Sequence, residues 1–208
     1  MRLDGEKARN VLADAWERWA QRCADLTPAE WSAPTRCTGW DVAALVAHAC
    51  PGPTMFAMLK DAAIDGPAAV TDAAEMLRRF NEPDGVAHTS ADQLAETAVS
   101  EAQDLSPETA AARFRECAEI VRAPSMPDGT VVGYPVIGST TFAVVTEVAL
   151  MEATVHLLDL ADAVGGVEPS EQALAATRDL LVAVPDPRAT VEVLAGRAQP
   201  GTAIPAIR

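Results

Sequence analysis

The sequence predicts an all-α protein: a bundle of helices with a long loop before its last bundle helix and short helices at the C-terminus. Three observations predict it. Apolar residues recur at helical spacing over most of the chain. Of 208 residues, 49% are apolar but only 4% aromatic, so the core must be built mainly from Ala, Val and Leu, which favours close-set helices over a β-sandwich. Helix start and stop signals punctuate the periodic segments, and there is no internal repeat or low-complexity linker. Residues 1–166 are expected to form the bundle, and 167–208 a short helical extension packed on it.

The elements follow in order. Residues 3 to 24 form a first amphipathic helix, with Val11, Leu12, Trp16, Trp19 and Cys23 on one stripe. Thr27-Pro28 opens a short piece through Trp31. Thr38 with Asp41 three residues later forms a capping-box-like pair, so the second helix is expected from Gly39 or Trp40, with Val42, Leu45, Val46 and Ala49 inward. The prolines of Cys50-Pro51-Gly52-Pro53 break or kink that helix, which resumes through Thr54-Met55-Phe56 to about Ala63. Further helices are expected over 67–80, over 90–104, and from Ser106-Pro107-Glu108 to about Val121. Residues 123–140, rich in Pro and Gly, form a loop with a small hairpin at Asp128-Gly129. A long helix runs from Ser139 to Val164 and stops at Gly165-Gly166. Helical pieces near 170–183 and 187–196 complete the chain.

Charge and composition exclude some functions. The net charge is −14, with no basic stripe or aromatic platform for nucleic acid. The charged N-terminus has no apolar signal core, and no apolar run spans a bilayer without polar interruption. The four cysteines (Cys23, Cys37, Cys50, Cys117) form no Cys-x-x-Cys pair and suit a reducing cytoplasm.

The chemistry concentrates in Met151-Glu-Ala-Thr-Val-His-Leu-Leu-Asp-Leu160. Glu152 and His156, four apart, share a helix face with Asp159 among aliphatic neighbours. On these residues alone, a buried Glu–His hydrogen bond is the favoured reading, and a metal is the sharper one. A third ligand would have to come from another histidine. His88, after Pro and Gly, is expected in a solvent-facing loop. His48 lies beside the buried stripe of the second helix, where a lone histidine is usually a satisfied core residue, but with the pair it can converge on one ion, as bundle-core sites do.

Two runs carry a family resemblance. Trp31-Ser-Ala-Pro-Thr-Arg-Cys-Thr-Gly-Trp-Asp-Val-Ala-Ala-Leu-Val-Ala-His48 matches the pattern "PT-x-C-x-GW…LV-x-H". Glu152-x-x-x-His156-x-x-Asp159-Leu160-Ala161-x-Ala163-x-Gly165 matches "E-x-x-x-H-x-x-DLA-x-A-x-G". In both, the chain resembles the DinB-like superfamily, specifically the N-terminal metal-binding domain of mycothiol-dependent maleylpyruvate isomerase, over residues from about 5 to 165. The resemblance implies a DinB-like four-helix bundle. It also implies that His48, Glu152 and His156 bind a divalent metal, usually zinc, with one coordination position open. Asp159 would lie behind the ligands or serve helix packing.

The match departs from the family at Leu157-Leu158, where Gly-Trp is common, at Asp162, where Arg is common, and at Cys50-Pro51-Gly52-Pro53. Cys50, two residues from His48, points away from a ligand position. The isomerase has a further C-terminal domain that this sequence lacks or reduces to short helices, so isomerisation does not carry over directly. The expected function is a metal-dependent enzyme in which a thiol, mycothiol, acts on a small electrophilic substrate by transfer or isomerisation. Two alternatives stay open: a thiol-independent metal enzyme doing hydrolysis, ring opening or rearrangement, and a non-catalytic metal-containing binding module. Arg78, Arg79, Arg113, Arg115 and Arg122 are candidates only to meet an acidic substrate, and a solvated helix-face charge is the favoured reading of each. Bundles of this kind also pair through exposed apolar faces, so a homodimer is within expectation.

Overall fold

The computed structural model describes residues 3, 5–52 and 54–207, and within them the protein is mostly helical, with one small two-stranded sheet. Helix α1 (Gly5–Ala24) buries the predicted stripe, including Leu12, Trp16, Trp19 and Cys23. It packs along α8 (Pro107–Arg122) and against α9 (Phe142–Val164). Trp19 stacks on Phe114 of α8 with centroids 5.3 Å apart, and its indole N–H donates to the Ala153 carbonyl at 2.9 Å. A buried indole thus satisfies its polar atom while its rings fill the core.

Thr27 caps α2 (Pro28–Trp31) through a full capping box with Glu30. The expected capping pair of Thr38 and Asp41 does not form. Helix α3 (Val42–Ala49) begins later, and Asp41 itself is the N-cap, accepting from the Ala44 N–H at 2.9 Å. Gly39 stands at φ +83°, outside any helix. Residues 33–41 instead close a compact loop. Thr35 N–H and hydroxyl both donate to the Trp40 carbonyl, at 3.1 and 2.9 Å, and Val42 N–H donates to Ala33.

The chain breaks after Ala49 and resumes as α4 (Thr54–Asp61), as proline requires; Pro53 lies outside the described residues. By composition alone Val42–Asp61 is long and apolar enough to cross a membrane, but here it is two helices, the first packed in the core. The helix expected over 67–80 is shorter. It is α5 (Ala73–Phe80), capped by Asp72, because Val70 pairs with Thr140 and keeps the preceding residues extended. His88 lies in a one-turn helix, α6 (Val86–Thr89), rather than in a loop, and is exposed. Helix α7 (Ala91–Ala102) packs on α3.

The hairpin is real but displaced from Asp128-Gly129. Strands β1 (Val131–Tyr134) and β2 (Gly138–Thr141) pair antiparallel, Val131 opposite Thr141. Their turn holds Val136 at φ +72°, with Ile137 N–H donating to Pro135 at 2.9 Å. This is a strained γ-turn at an exposed β-branched residue. Its gain is the burial of Ile137 among residues of α5 and α9. Ser139–Thr141, expected as the start of the long helix, belong to β2, and Thr141 caps α9.

Helix α9 is central. From Phe142 to Ala161 every residue is buried or half-buried except Glu152. A helix apolar all round belongs inside a core. Thr146 and Thr154 keep their hydroxyls satisfied by donating back to Phe142 and Leu150 within the helix. Gly165, at φ +63°, ends it. Helix α10 (Glu171–Leu181) packs on α9 and α1, and α11 (Pro187–Leu194) follows.

Candidate metal centre

His48 comes from the last turn of α3, and Glu152 and His156 from successive turns of α9. Their ligand atoms all lie within 4.8 Å of one another. The two imidazoles stand edge to face with centroids 5.0 Å apart, and His156 Nε2 is 3.4 Å from Glu152 Oε2. Trp40, from the compact loop, covers His48 with ring centroids 4.8 Å apart. Burial, with His156 close by, lowers the His48 pKa from its ordinary value. His48 is therefore neutral at neutral pH, the form in which an imidazole ligates.

His156 is held from behind. Its Nδ1 lies 2.8 Å from Asp159 Oδ2. Asp159 also accepts from Arg36 Nε at 2.6 Å and from the Cys37 thiol at 3.4 Å. Desolvation would raise the Asp159 pKa, but the hydrogen bonds from His156 and Arg36 outweigh it and lower it. An ionised carboxylate only accepts, so Nδ1 is the donor and Nε2 carries the lone pair in the neutral ring. That lone pair faces Glu152 and His48. Burial pulls the His156 pKa down, but hydrogen bonds to Asp159 and Glu152 and their charges hold it up at about 9.

A second group shares His156: Cys37, Asp159 and His156 also lie within 4.8 Å of one another. It is a closed set. Its carboxylate is already taken by a guanidinium and a thiol, and burial with the Asp159 charge pushes the Cys37 thiol up to about 11. The first group is open by contrast. It offers two imidazole nitrogens and one carboxylate, and Glu152 is the one exposed residue between Phe142 and Ala161 of α9. Two nitrogens and an oxygen with a carboxylate behind one imidazole suit a divalent metal with a free position.

Other candidates lie elsewhere. Cys50 caps α3, and its thiol contacts the Pro51 and Ala110 carbonyls. Arg78 donates to Ala183, Arg79 pairs with Glu75, and Arg122 pairs with Glu17. Arg36 is a cation beside the site, bonded to Asp159, and it sits in a loop, outside the helical periodicity that marks the other arginines. Its signal was its place next to Cys37 in the first matched run.

The family described as "Mycothiol maleylpyruvate isomerase N-terminal domain" matches residues 12–161. No curated protein and no solved structure matches the chain. The matched span contains all three donors and Asp159, and together with the donor set it supports a divalent metal and a small-molecule substrate.

Proposed function

The chain belongs to the mycothiol maleylpyruvate isomerase N-terminal domain family, and from that premise we propose that it is a metal-dependent enzyme. His48, Glu152 and His156 hold the ion, which we assign as zinc. A thiol, mycothiol, acts on a small electrophilic substrate by transfer or reversible addition and isomerisation. One observation carries the reading. Between Phe142 and Ala161 of α9 the single exposed residue, Glu152, stands where two imidazoles from two helices converge. We also read α1, α3, α8 and α9 as the family's four-helix bundle.

When bound, a divalent ion would supply an open coordination position that lowers the pKa of a thiol placed there. This chain's residues do the rest. His48 presents a neutral imidazole fixed by Trp40. Asp159 holds the Nδ1 proton of His156, so its Nε2 faces inward. Arg36 and Cys37 keep Asp159 oriented and ionised. Glu152 contributes a carboxylate at the solvent side, where a thiol and its electrophile enter.

Replacing the native ion with cobalt(II) tests the thiol. A thiolate-to-cobalt charge-transfer band should rise as mycothiol is added to wild type. A cobalt-loaded protein whose spectrum ignores mycothiol would refute the thiol-dependent reading in favour of the thiol-independent one. A non-catalytic reading has one observation in its favour: Glu152 and Asp159 already partner both His156 nitrogens, as in a buried core pair.

A further inference from the structure

Helix α9 serves a second concavity on another face. Thr154, Val155 and Leu158 lie roughly a third of a turn round the helix from Glu152, His156 and Asp159. They form one wall of a groove of about 500 Å3 whose other walls are α10, α11 and the segment Ala203–Ile207. That volume is in the range of small-molecule sites. The lining is almost wholly apolar, and Leu174, Val182, Leu194 and Ile204 in it are exposed. Apolar surface gathered in a concavity marks a binding site more often than scattered surface does.

Two polar features stand at one part of this groove, on adjacent residues of α10. Arg178 is the single charged residue in the lining among the described residues. Its Nε and Nη2 donate to Asp179 Oδ1 at 3.0 and 2.6 Å, while its Nη1 makes no hydrogen bond among the described residues. The side chain is 69% exposed, so the pair exchanges readily with solvent or a ligand. Thr177 lies in the wall beside it, and its buried hydroxyl has no hydrogen-bond partner among the described residues.

We infer that this groove binds a small amphiphilic carboxylate, of the class of a medium-chain fatty acid. The hydrocarbon lies among Leu158, Leu174, Leu181 and Leu194, and the carboxylate meets Arg178. Charge selects the head group: the chain carries a net charge of −14, yet among the described residues the charged side chain lining this groove is a cation, with Asp179 holding one side of its fork. A wholly apolar ligand would leave Arg178 unused. A flat partner surface would leave the concavity unfilled, against the close packing that stable contacts require.

Calorimetric titration of the full chain with decanoate and decanol tests this. Saturable, stoichiometric decanoate binding is expected, with decanol weaker by on the order of tenfold. Arg178→Gln should erase that difference. Leu174→Trp and Leu194→Asp change exposed residues, so each should keep its circular dichroism while losing decanoate. No saturable decanoate binding, binding indifferent to both groove variants, or equal binding of decanol by wild type would overturn the inference. So would a wild-type dimer that Leu194→Asp dissociates, because a second copy would then be the occupant.

Discussion

Adjacent residues of α9 belong to two different regions. The Ala153 carbonyl accepts from Trp19, whose ring stacks on Phe114 in the α1–α8 core. Glu152, one residue earlier, opens to solvent beside two histidines. Both regions bury aromatic rings against helix α9. In the first, every polar atom of the pair is satisfied and the rings are locked by area. In the second, ring nitrogens and a carboxylate converge and keep donor capacity in reserve. The difference separates stability from chemistry. The first region should be costly to the fold and silent for metal; the second should behave the other way.

The largest effect should come from the first region. Trp19→Ala removes a fully buried indole and should cost about 3–5 kcal/mol in chemical denaturation. The folded fraction should still take up metal at wild-type stoichiometry. Loss of metal from a protein still folded at native temperature would break the comparison.

A smaller effect should follow from the clamp behind His156. Asp159→Asn can no longer anchor the Nδ1 proton as an anion, and metal affinity should fall about 10–100-fold. Competition with a chromophoric chelator reads this directly. Unchanged affinity would show that Asp159 only packs the helix against the loop.

The smallest effect, taken per pH unit, is a pH slope, and its sign is fixed by His156. Its pKa is held at about 9, so below that pH the ring carries a proton that an ion must displace. Apparent metal affinity should therefore rise with pH, by up to about tenfold per unit, and level off above about 9. His48, its pKa lowered by burial, adds no such slope at neutral pH. Affinity that is flat from pH 7 to 9 would place the ion away from His156.

Much of the site could be read in the sequence, because its cause is local. Glu152, His156 and Asp159 share a face by helical geometry alone, and His48 sits beside a periodic stripe. What escaped has longer range. Arg36 and Cys37 reach Asp159 only through a loop closed by Thr35 and Trp40. The start of α3 moved to Val42 because Asp41 caps the helix itself and leaves Gly39 free to turn the chain. Asp128-Gly129 keeps its turn, with Thr130 N–H donating to Pro127, but the strands pair beyond it, where Ile137 is buried. The first shift is one local cap prevailing over another; the second follows tertiary burial.

The most direct test of the account is the metal content of purified protein, wild type beside His156→Ala, by elemental analysis. The account predicts about one divalent ion per wild-type chain, and loss of that ion in a variant whose helical circular dichroism is intact. Wild type purified and reconstituted without any bound ion, or a folded His156→Ala variant that keeps it, would contradict the account and leave Glu152, His156 and Asp159 as partners in the core.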